Sequence, residues 1–503
     1  MYALYELIDL LPASFEPCFS NRLNELFVYL RSQKKRISEK EALLGFLGDA
    51  DRVKYFNKLK NRLKREIINY VLVHPAVWVN TDYKAIYDEC YRNFTAYKVL
   101  LMNGRGKAAI EIAKPLLPKL REVELHELSL VVANDLAFYY AAQSTSPGLS
   151  KKYHTIAERQ LEIINAGSVV RQYRNQISIL RNTRESFSAA NIAEFQEAAE
   201  ATEGYLELGS LFLNRYIYDI ILARYSVEFD YDNIIRYVTQ AFAQFPKDHP
   251  RYNATRFYYY QMKLPAMIAL GQLTEAKVIA KESCKMMRTG GFNWHLALIR
   301  RTLVCLKSRE YQEAYDLYKE QNRYGCDYPQ FAEYWKIIWG YLFFLIKMGR
   351  IEEYSEERFQ LGKFLNEVPI YTRDKAGNNI NILIIQILIR MQREQYGQII
   401  DRIDALETYA RTYTRNPETV RANIFIKMII KMSAASFHRS GTERKTQKLL
   451  EKLQNTSLKI GQNLSIEIIP YEVLWEEILS MLENKFRGIK VPNRGRKDKK
   501  REA

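Results

Sequence analysis

The sequence has few of the residues that interrupt regular structure. Glycine occurs 21 times and proline 14 times in 503 residues, and both numbers lie well below average usage. An all-β chain of this length needs many tight turns, which these two residues supply. Their scarcity therefore predicts an all-α fold.

Cysteine pairs and membrane-spanning runs are also missing. The five cysteines are widely spaced and include no C-x-x-C pair, which favours a reducing, cytoplasmic setting. The stretch MYALYELIDLLPASFEP has no basic region ahead of an apolar run, so it is not typical of a secretory signal. Apolar runs such as INILIIQILI are shorter than the roughly 20 residues of a membrane span, and no membrane partner is expected.

Short signatures of catalysis and metal binding are absent as well. The sequence contains no G-x-x-x-x-G-K-[ST] loop, no G-x-S-x-G elbow and no H-E-x-x-H pair. The six histidines are isolated from one another and from the cysteines, which leaves no metal-ligand spacing. Cys284 and Cys305 lie in apolar helical contexts typical of buried, inert thiols. The sequence thus predicts no enzyme, cofactor or metal site, although a site assembled from distant residues leaves no linear pattern.

What the chain has in excess is positive charge. Lysine and arginine number 75 against 58 acidic residues, a formal net charge of +17. Residues 31–66 hold 12 basic and 5 acidic residues, and residues 484–503 hold 9 and 2, so each stretch has a net charge of +7. The excess charge is thus concentrated in these two stretches, which makes them the candidate sites for an acidic partner.

The second basic stretch, residues 484–503, lacks apolar periodicity and is predicted to be a disordered tail. Two interpretations remain open for it: a solvated chain end, or a non-specific contact to phosphate groups. Under the second interpretation the contacts are made by Arg494, Arg496, Lys497, Lys499 and Lys500.

The first basic stretch belongs to a predicted helical module over residues 1–78. The segment NRLNELFVYLRSQ has an apolar face typical of one helix. Ser38 followed by Glu41 forms a capping-box pattern that starts a second helix, which Gly48 ends. A third helix is predicted from Asp51 to Tyr70.

This third helix combines an apolar stripe with basic residues in the remaining directions. The stripe follows spacings of three and four through Tyr55, Phe56, Leu59, Leu63 and Ile67. The candidate contacts to nucleic acid or to an acidic partner are Lys58, Lys60, Arg62, Lys64 and Arg65. A solvated structural face, nucleic-acid contact and docking to an acidic protein all remain open for these side chains.

From residue 79 to 483 the sequence is a succession of amphipathic helical segments, and parts of them recur. YDNIIRYVTQAFAQFPKDHP places an aromatic, an apolar, a small residue and proline at Tyr231, Ile234, Ala241 and Pro246. Shorter copies place turn residues and packing residues at Gly104 and Ala109, Gly271 and Ala276, Tyr311 and Ala314, and Gly349. Aligned on the turn, Gly271, Arg309 and Gly349 are 38 and 40 residues apart.

These segments resemble the second helix of a tetratricopeptide repeat. The resemblance implies a right-handed α-solenoid of degenerate helix pairs over residues 79–483, with a protein or peptide partner on its surface. The helix order in residues 1–78 distantly resembles a helix-turn-helix or winged-helix unit, whose last helix enters the major groove. Two hypotheses follow: a non-enzymatic interaction scaffold or adaptor and, as the alternative, a repeat-containing nucleic-acid-binding regulator.

Overall fold

The computed structural model is helical wherever it describes the chain. It describes residues 1–12, 15–17, 19–33, 35–74, 82–142, 147–182, 189–245, 252–352, 362, 378–413, 417–461 and 467–485. These residues form 21 α-helices and no strand, so the predicted all-α class is confirmed. Within this part of the chain, none of the helices has the length and apolar character needed to cross a bilayer.

The chain divides into two compact units, residues 1–166 and 167–503. The first eight helices, of which α8 continues into the second unit, are α1 (Tyr2–Leu10), α2 (Asn21–Arg31), α3 (Glu39–Leu47), α4 (Val53–Val73), α5 (Asp82–Met102), α6 (Gly106–Glu122), α7 (His126–Ala142) and α8 (Pro147–Asn182). The remaining helices are α9 (Ala189–Glu203), α10 (Leu211–Glu228), α11 (Tyr231–Gln244), α12 (Asn253–Ala269), α13 (Leu273–Lys285), α14 (Phe292–Lys307), α15 (Tyr311–Tyr324), α16 (Pro329–Lys347), α17 (Asn378–Gln392), α18 (Tyr396–Tyr413), α19 (Val420–Ala434), α20 (Arg439–Gln454) and α21 (Tyr471–Ser480).

Helices α1 to α4 share one apolar core. The predicted capping box begins α3, since the Glu41 N–H donates to the Ser38 hydroxyl over 3.2 Å and the Ser38 N–H donates to the Glu41 carboxylate over 2.7 Å. Gly48 ends this helix with a φ of +69°, a left-handed conformation that glycine adopts without steric cost. Both predicted ends of the second helix are therefore confirmed.

The basic helix α4 begins two residues later and ends three residues later than its predicted span from Asp51 to Tyr70. Phe56, Leu59, Leu63 and Ile67 are each at most 8 % exposed, which confirms the apolar stripe. Tyr55 was assigned to the stripe wrongly, because 45 % of its surface is exposed. Tyr55 lies about 100° from Phe56 around the helix, and the other four residues complete the stripe without it.

The turns between successive helices repeat one geometry. At eight turns in the described chain, one residue takes a left-handed backbone conformation, and the next residue's N–H donates to the carbonyl oxygen five positions before it. At Gly271, for example, φ is +73° and Gln272 donates to Met267 over 2.8 Å. This bond is typical of a Schellman helix ending and satisfies a carbonyl that the helix leaves without a partner. The left-handed residues are Gly104, Glu124, Phe229, Gly271, Arg309, Gly349, Glu394 and Ser436.

In the second unit these turns recur at similar intervals. The left-handed residues from Phe229 to Glu394 follow one another 38 to 45 residues apart. From α9 to α21, each helix packs against the next described helix. Gly271, Arg309 and Gly349, which the sequence aligns on the turn, all lie at such positions.

The residues predicted to pack between repeats lie in the apolar interior of their units. Those at most 8 % exposed are Ala109, Tyr231, Ile234, Ala241, Ala276, Tyr311 and Ala314. Small side chains at such positions allow two helix backbones to approach closely. Pro246, predicted to close a helix, lies outside the described residues, and α11 ends at Gln244.

Candidate interaction surfaces

The outer face of α4 is basic and has no acidic partner among the described residues. Lys58, Arg62, Lys64 and Arg65 are exposed, and no described carboxylate lies within 4.0 Å of their charged groups. The apolar stripe fixes their direction, because Phe56, Leu59, Leu63 and Ile67 bury the opposite side of the helix. We call these four cations the α4 basic face.

Lys60 does not belong to the α4 basic face. Its Nζ lies 2.7 Å from Oε1 of Glu39 on α3, and only 17 % of its side chain is exposed. The hydrogen bond from Lys60 lowers the pKa of the Glu39 carboxyl. Lys60 therefore links α4 to α3 through an ion pair. The sequence, in contrast, placed it among the candidate contacts to nucleic acid or to an acidic partner.

The two ends of α4 differ from its middle. Asp51 is exposed and Asp49 is half-buried just ahead of the helix, and Asp49 pairs with Arg52 at 3.1 Å. Near the other end, Leu72 and Val73 are each 68 % exposed. A phosphate group would meet carboxylates at the N-terminus of α4, so the middle of the helix is the better place for it.

The residues that end the chain's described part fold back onto the middle of the second unit. We call residues 455–461 and 467–482 the C-terminal segment. The Tyr231 hydroxyl at the start of α11 accepts a bond from the Ile460 N–H over 2.7 Å and donates to the Ile460 carbonyl over 3.3 Å. Ile460 and Leu458 share an apolar cluster with Leu264 and Val304 of α12 and α14. The segment thus covers surface contributed by several successive helices.

A buried charge network anchors the C-terminal segment. Arg421 of α19 donates to both oxygens of Glu467 over 2.8 and 3.0 Å and to the Glu472 carboxylate over 2.6 and 2.7 Å. It also donates to the carbonyls of Leu453 and Thr456. A buried guanidinium is stable only when its donors and charge are satisfied in this way. We call these residues the Arg421 network.

Lys307 extends the network to α14. Its ammonium donates to the backbone carbonyl of Glu467, and its side chain is buried. Burial lowers the pKa of Lys307 to about 8, although the negative charge of Glu467 opposes that shift. The segment therefore joins helices that are far apart in sequence, and no local spacing signals this in the sequence.

Two ion pairs, one of them with the buried Glu477, add a second attachment at α21. Arg350 donates to Glu477 over 2.9 Å and Arg309 donates to Glu476 over 3.2 Å. Both arginines lie at the inter-helix turns that follow α14 and α16. The C-terminal segment therefore occupies the surface beside the turns that follow α14 and α16.

One group of residues in the described chain has the composition of a metal site: Cys305, Glu310 and Glu313. Lys277 and Arg301 already neutralise the carboxylates, at 3.2 and 2.8 Å from Glu313. Burial raises the pKa of the Cys305 thiol to about 12, whereas a metal ligand must be a thiolate. The geometry therefore fits an ion-pair cluster better than a metal site.

The other thiols and aromatic clusters also have structural surroundings. Burial raises the pKa of the Cys284 thiol to about 12, as it does for Cys305. Both environments agree with the prediction that these two thiols are unreactive. Trp335 is 3 % exposed, and Trp339 stacks on Tyr318 with ring centroids 5.1 Å apart. These rings pack in the largest apolar cluster of the second unit.

Three of the described histidines have clear packing or capping roles. Nδ1 of His126 lies 2.8 Å from Oε1 of Gln160. The ring of His438 accepts the Gly441 N–H at the start of α20. His295 is 1 % exposed, and burial lowers its pKa. None of these arrangements requires a catalytic explanation.

The predicted contacts in the basic tail lie outside the described residues. They are Arg494, Arg496, Lys497, Lys499 and Lys500. Their role stays a prediction from composition.

Comparison with known proteins identifies no relative. No protein-family model, curated protein or solved structure matches the chain.

Proposed function

We propose that the protein is a non-enzymatic scaffold or adaptor that binds a protein or peptide partner on a right-handed α-solenoid of tetratricopeptide-like helix pairs. One observation carries the proposal: the same Schellman turn recurs from Phe229 to Glu394 at intervals of 38 to 45 residues. Stacked helix pairs bury a continuous core and leave extended surfaces that commonly bind other proteins. The intervals exceed the tetratricopeptide period of about 34 residues, so the repeats are long and degenerate.

The C-terminal segment restricts where a partner binds in this proposal. It covers Tyr231 of α11, Leu264 of α12 and Val304 of α14, and it occupies the turns at Arg309 and Arg350. The partner therefore uses the surface that this segment leaves open. The cysteine pattern favours the reducing cytoplasm as the place where this happens.

Affinity purification of the tagged full chain from native lysate tests this function. We expect a protein partner to be recovered in stoichiometric amount and to form a complex with the purified chain in size-exclusion chromatography. Failure to recover such a partner under several salt conditions would contradict the proposal. Turnover of a small molecule by the purified chain would contradict the non-enzymatic part.

A second candidate function is binding of nucleic acid. The observation that favours it is the α4 basic face, whose cations Lys58, Arg62, Lys64 and Arg65 have no described acidic partner. Cations on one exposed helix face attract phosphates independently of base sequence. Asp49 and Asp51 ahead of α4 argue for contact through the middle of the helix, unlike the N-terminal contacts of a helix-turn-helix unit.

Fluorescence anisotropy with random duplex DNA at low salt tests the second candidate. If the α4 basic face binds phosphates, reversing its four charges to glutamate abolishes binding, and the salt dependence corresponds to about four released counterions. A matched control reverses four exposed lysines of the second unit, Lys281, Lys285, Lys448 and Lys452. Equal loss in both variants would show that only net charge matters, and unchanged binding in the α4 variant would exclude this surface.

A further inference from the structure

Another group of charged and aromatic side chains lies wholly within the second unit. It brings together residues of α8, α10 and α12, which are not adjacent in sequence. We call it the arginine–tyrosine cluster, and its members are Arg174, Arg181, Arg215, Tyr216, Asp219 and Tyr258.

One half of the cluster is electrostatically balanced. Nη1 of Arg181 donates to Oδ1 of Asp219 over 3.1 Å, and the Tyr258 hydroxyl donates to the same oxygen. Arg181 is 20 % and Asp219 16 % exposed. The positive charge of Arg181 and the negative charge of Asp219 therefore balance each other in mostly buried surroundings.

The other half carries excess positive charge. The guanidinium carbon of Arg174 lies 4.6 Å from the centroid of the Tyr216 ring, and that of Arg215 lies 4.5 Å from it. Asp219 is the one described carboxylate near Arg174, at 3.5 Å from Nε, and it is already paired with Arg181. No described carboxylate forms an ion pair with Arg215. Three guanidinium groups thus share a single carboxylate of the described chain.

Both arginines over the Tyr216 ring keep N–H donors that have no acceptor among the described residues. The Arg174 side chain is 42 % exposed, and its two Nη atoms have no acceptor among the described residues. Arg215 uses Nη2 to donate to the Tyr216 hydroxyl over 2.5 Å, which leaves its other nitrogens without an acceptor in the described chain. Stacking on a ring fixes the plane of a guanidinium while its N–H edges stay available. Two such edges suit the oxygens of a carboxylate or phosphate group, which arginine binds in a bidentate manner.

We propose that the arginine–tyrosine cluster binds an oxyanion carried by a peptide segment of the partner. The inference rests on the proposed function, because it names the chemistry by which that partner is recognised. Holding two guanidinium groups against one ring is unfavourable without a counter-ion, and an incoming oxyanion removes that repulsion. Glutamate carboxylate and phosphoserine share this chemistry, and the test separates them.

The test measures binding of fluorescein-labelled peptides to the purified full chain by anisotropy. The probes are a peptide of glutamate, glycine and serine, the same peptide with glutamine in place of glutamate, and a version with phosphoserine in place of glutamate. We expect the glutamate or the phosphoserine peptide to bind, the tighter one identifying the oxyanion, and the glutamine peptide to bind at least about tenfold more weakly. Equal binding of all three would overturn the inference.

Variants assign the binding to this cluster. We expect Arg174→Gln with Arg215→Gln to raise the Kd by at least about tenfold. The matched control is Arg236→Gln, because Arg236 also lies 4.6 Å over a tyrosine ring, that of Tyr237, whose hydroxyl donates to Glu203. An unchanged Kd in the double variant, or an equal change in the control, would overturn the inference.

Two further readouts keep the outcome unambiguous. Should the double variant not fold, Arg215→Lys retains the charge and loses the planar donor edge. A higher Kd in this variant supports the inference and an unchanged Kd opposes it.

Single-stranded DNA provides a competing ligand. If it displaces the peptide and binds more tightly through the same arginines, the cluster is assigned to nucleic acid, against the proposal. Peptide binding without any stoichiometric partner in lysate would contradict the scaffold function while leaving the oxyanion site in place.

Discussion

The α4 basic face and the Arg421 network use similar cations in opposite ways. On α4 the side chains of Lys58, Arg62, Lys64 and Arg65 are exposed and have no described acidic partner. In the network, Arg421 is buried and satisfied by two carboxylates and two carbonyls. Exposed cations contribute little to stability and remain available to a ligand. Buried, paired cations hold the fold and are available to nothing else.

The largest expected effect comes from breaking the network. Arg421→Ala removes the positive charge that balances the buried Glu467 carboxylate and takes away its guanidinium donors, so the free energy of unfolding should fall by about 3–5 kcal/mol. Urea denaturation followed by circular dichroism measures it. The control is Arg439→Ala, which removes an exposed pair with Glu443 and should change stability by less than about 1 kcal/mol. Similar losses in the two variants would contradict the distinction between buried and exposed cations.

A pH-dependent effect of intermediate size is expected from Lys307. Because its pKa falls from 10.5 to about 8 in the folded chain, the unfolded chain binds more protons between these pH values. The contribution of Lys307 to the free energy of unfolding should therefore increase as pH rises from 8 towards 10.5, by about 3 kcal/mol in total.

Comparison with Lys307→Met isolates this contribution. The variant lacks the titrating group, so its free energy of unfolding should rise less than that of the wild type between pH 7 and pH 10. Urea denaturation across this range provides the difference, and tyrosine ionisation affects both proteins alike. Parallel curves for the two proteins would mean that Lys307 is charged in the folded chain at every pH tested.

The smallest effect is expected on the α4 basic face. Arg62→Ala and Arg65→Ala should each change the free energy of unfolding by about 0.5 kcal/mol or less, because both side chains are exposed. Leu63→Ala, between them, should cost about 2–5 kcal/mol since Leu63 is fully buried. A large loss in either arginine variant would show that this face supports the fold and is not a free surface.

The sequence predicts local features of this fold well. Helical periodicity identifies the stripe of α4, the capping-box pattern identifies the start of α3, and glycine marks the turns at Gly271 and Gly349. Tyr55 shows the limit of periodicity, because a residue next to the stripe also fits a spacing of four to Leu59. Phe229 and Glu394 adopt the same left-handed turn without glycine, so composition gave no signal there.

The charged clusters could not be predicted from sequence. Arg421 and Glu467 are 46 residues apart, and Arg174 and Tyr216 come together from separate helices. Such pairings depend on how helices stack, which propensity and spacing do not encode. Net charge by segment identified the α4 basic face but not the arginine–tyrosine cluster, because Asp219 and nearby glutamates balance the local count.

The bond between Tyr231 and Ile460 has a consequence for how the chain folds during synthesis. Its partners are 229 residues apart, so most of the second unit is made before the contact can form. Local helix pairs can form early, whereas contacts of such sequence separation form late and slow the final step. Until then, Leu264 and Val304 lack the cover of Ile460. A nascent chain that ends before residue 460 therefore exposes an apolar surface that chaperones can bind.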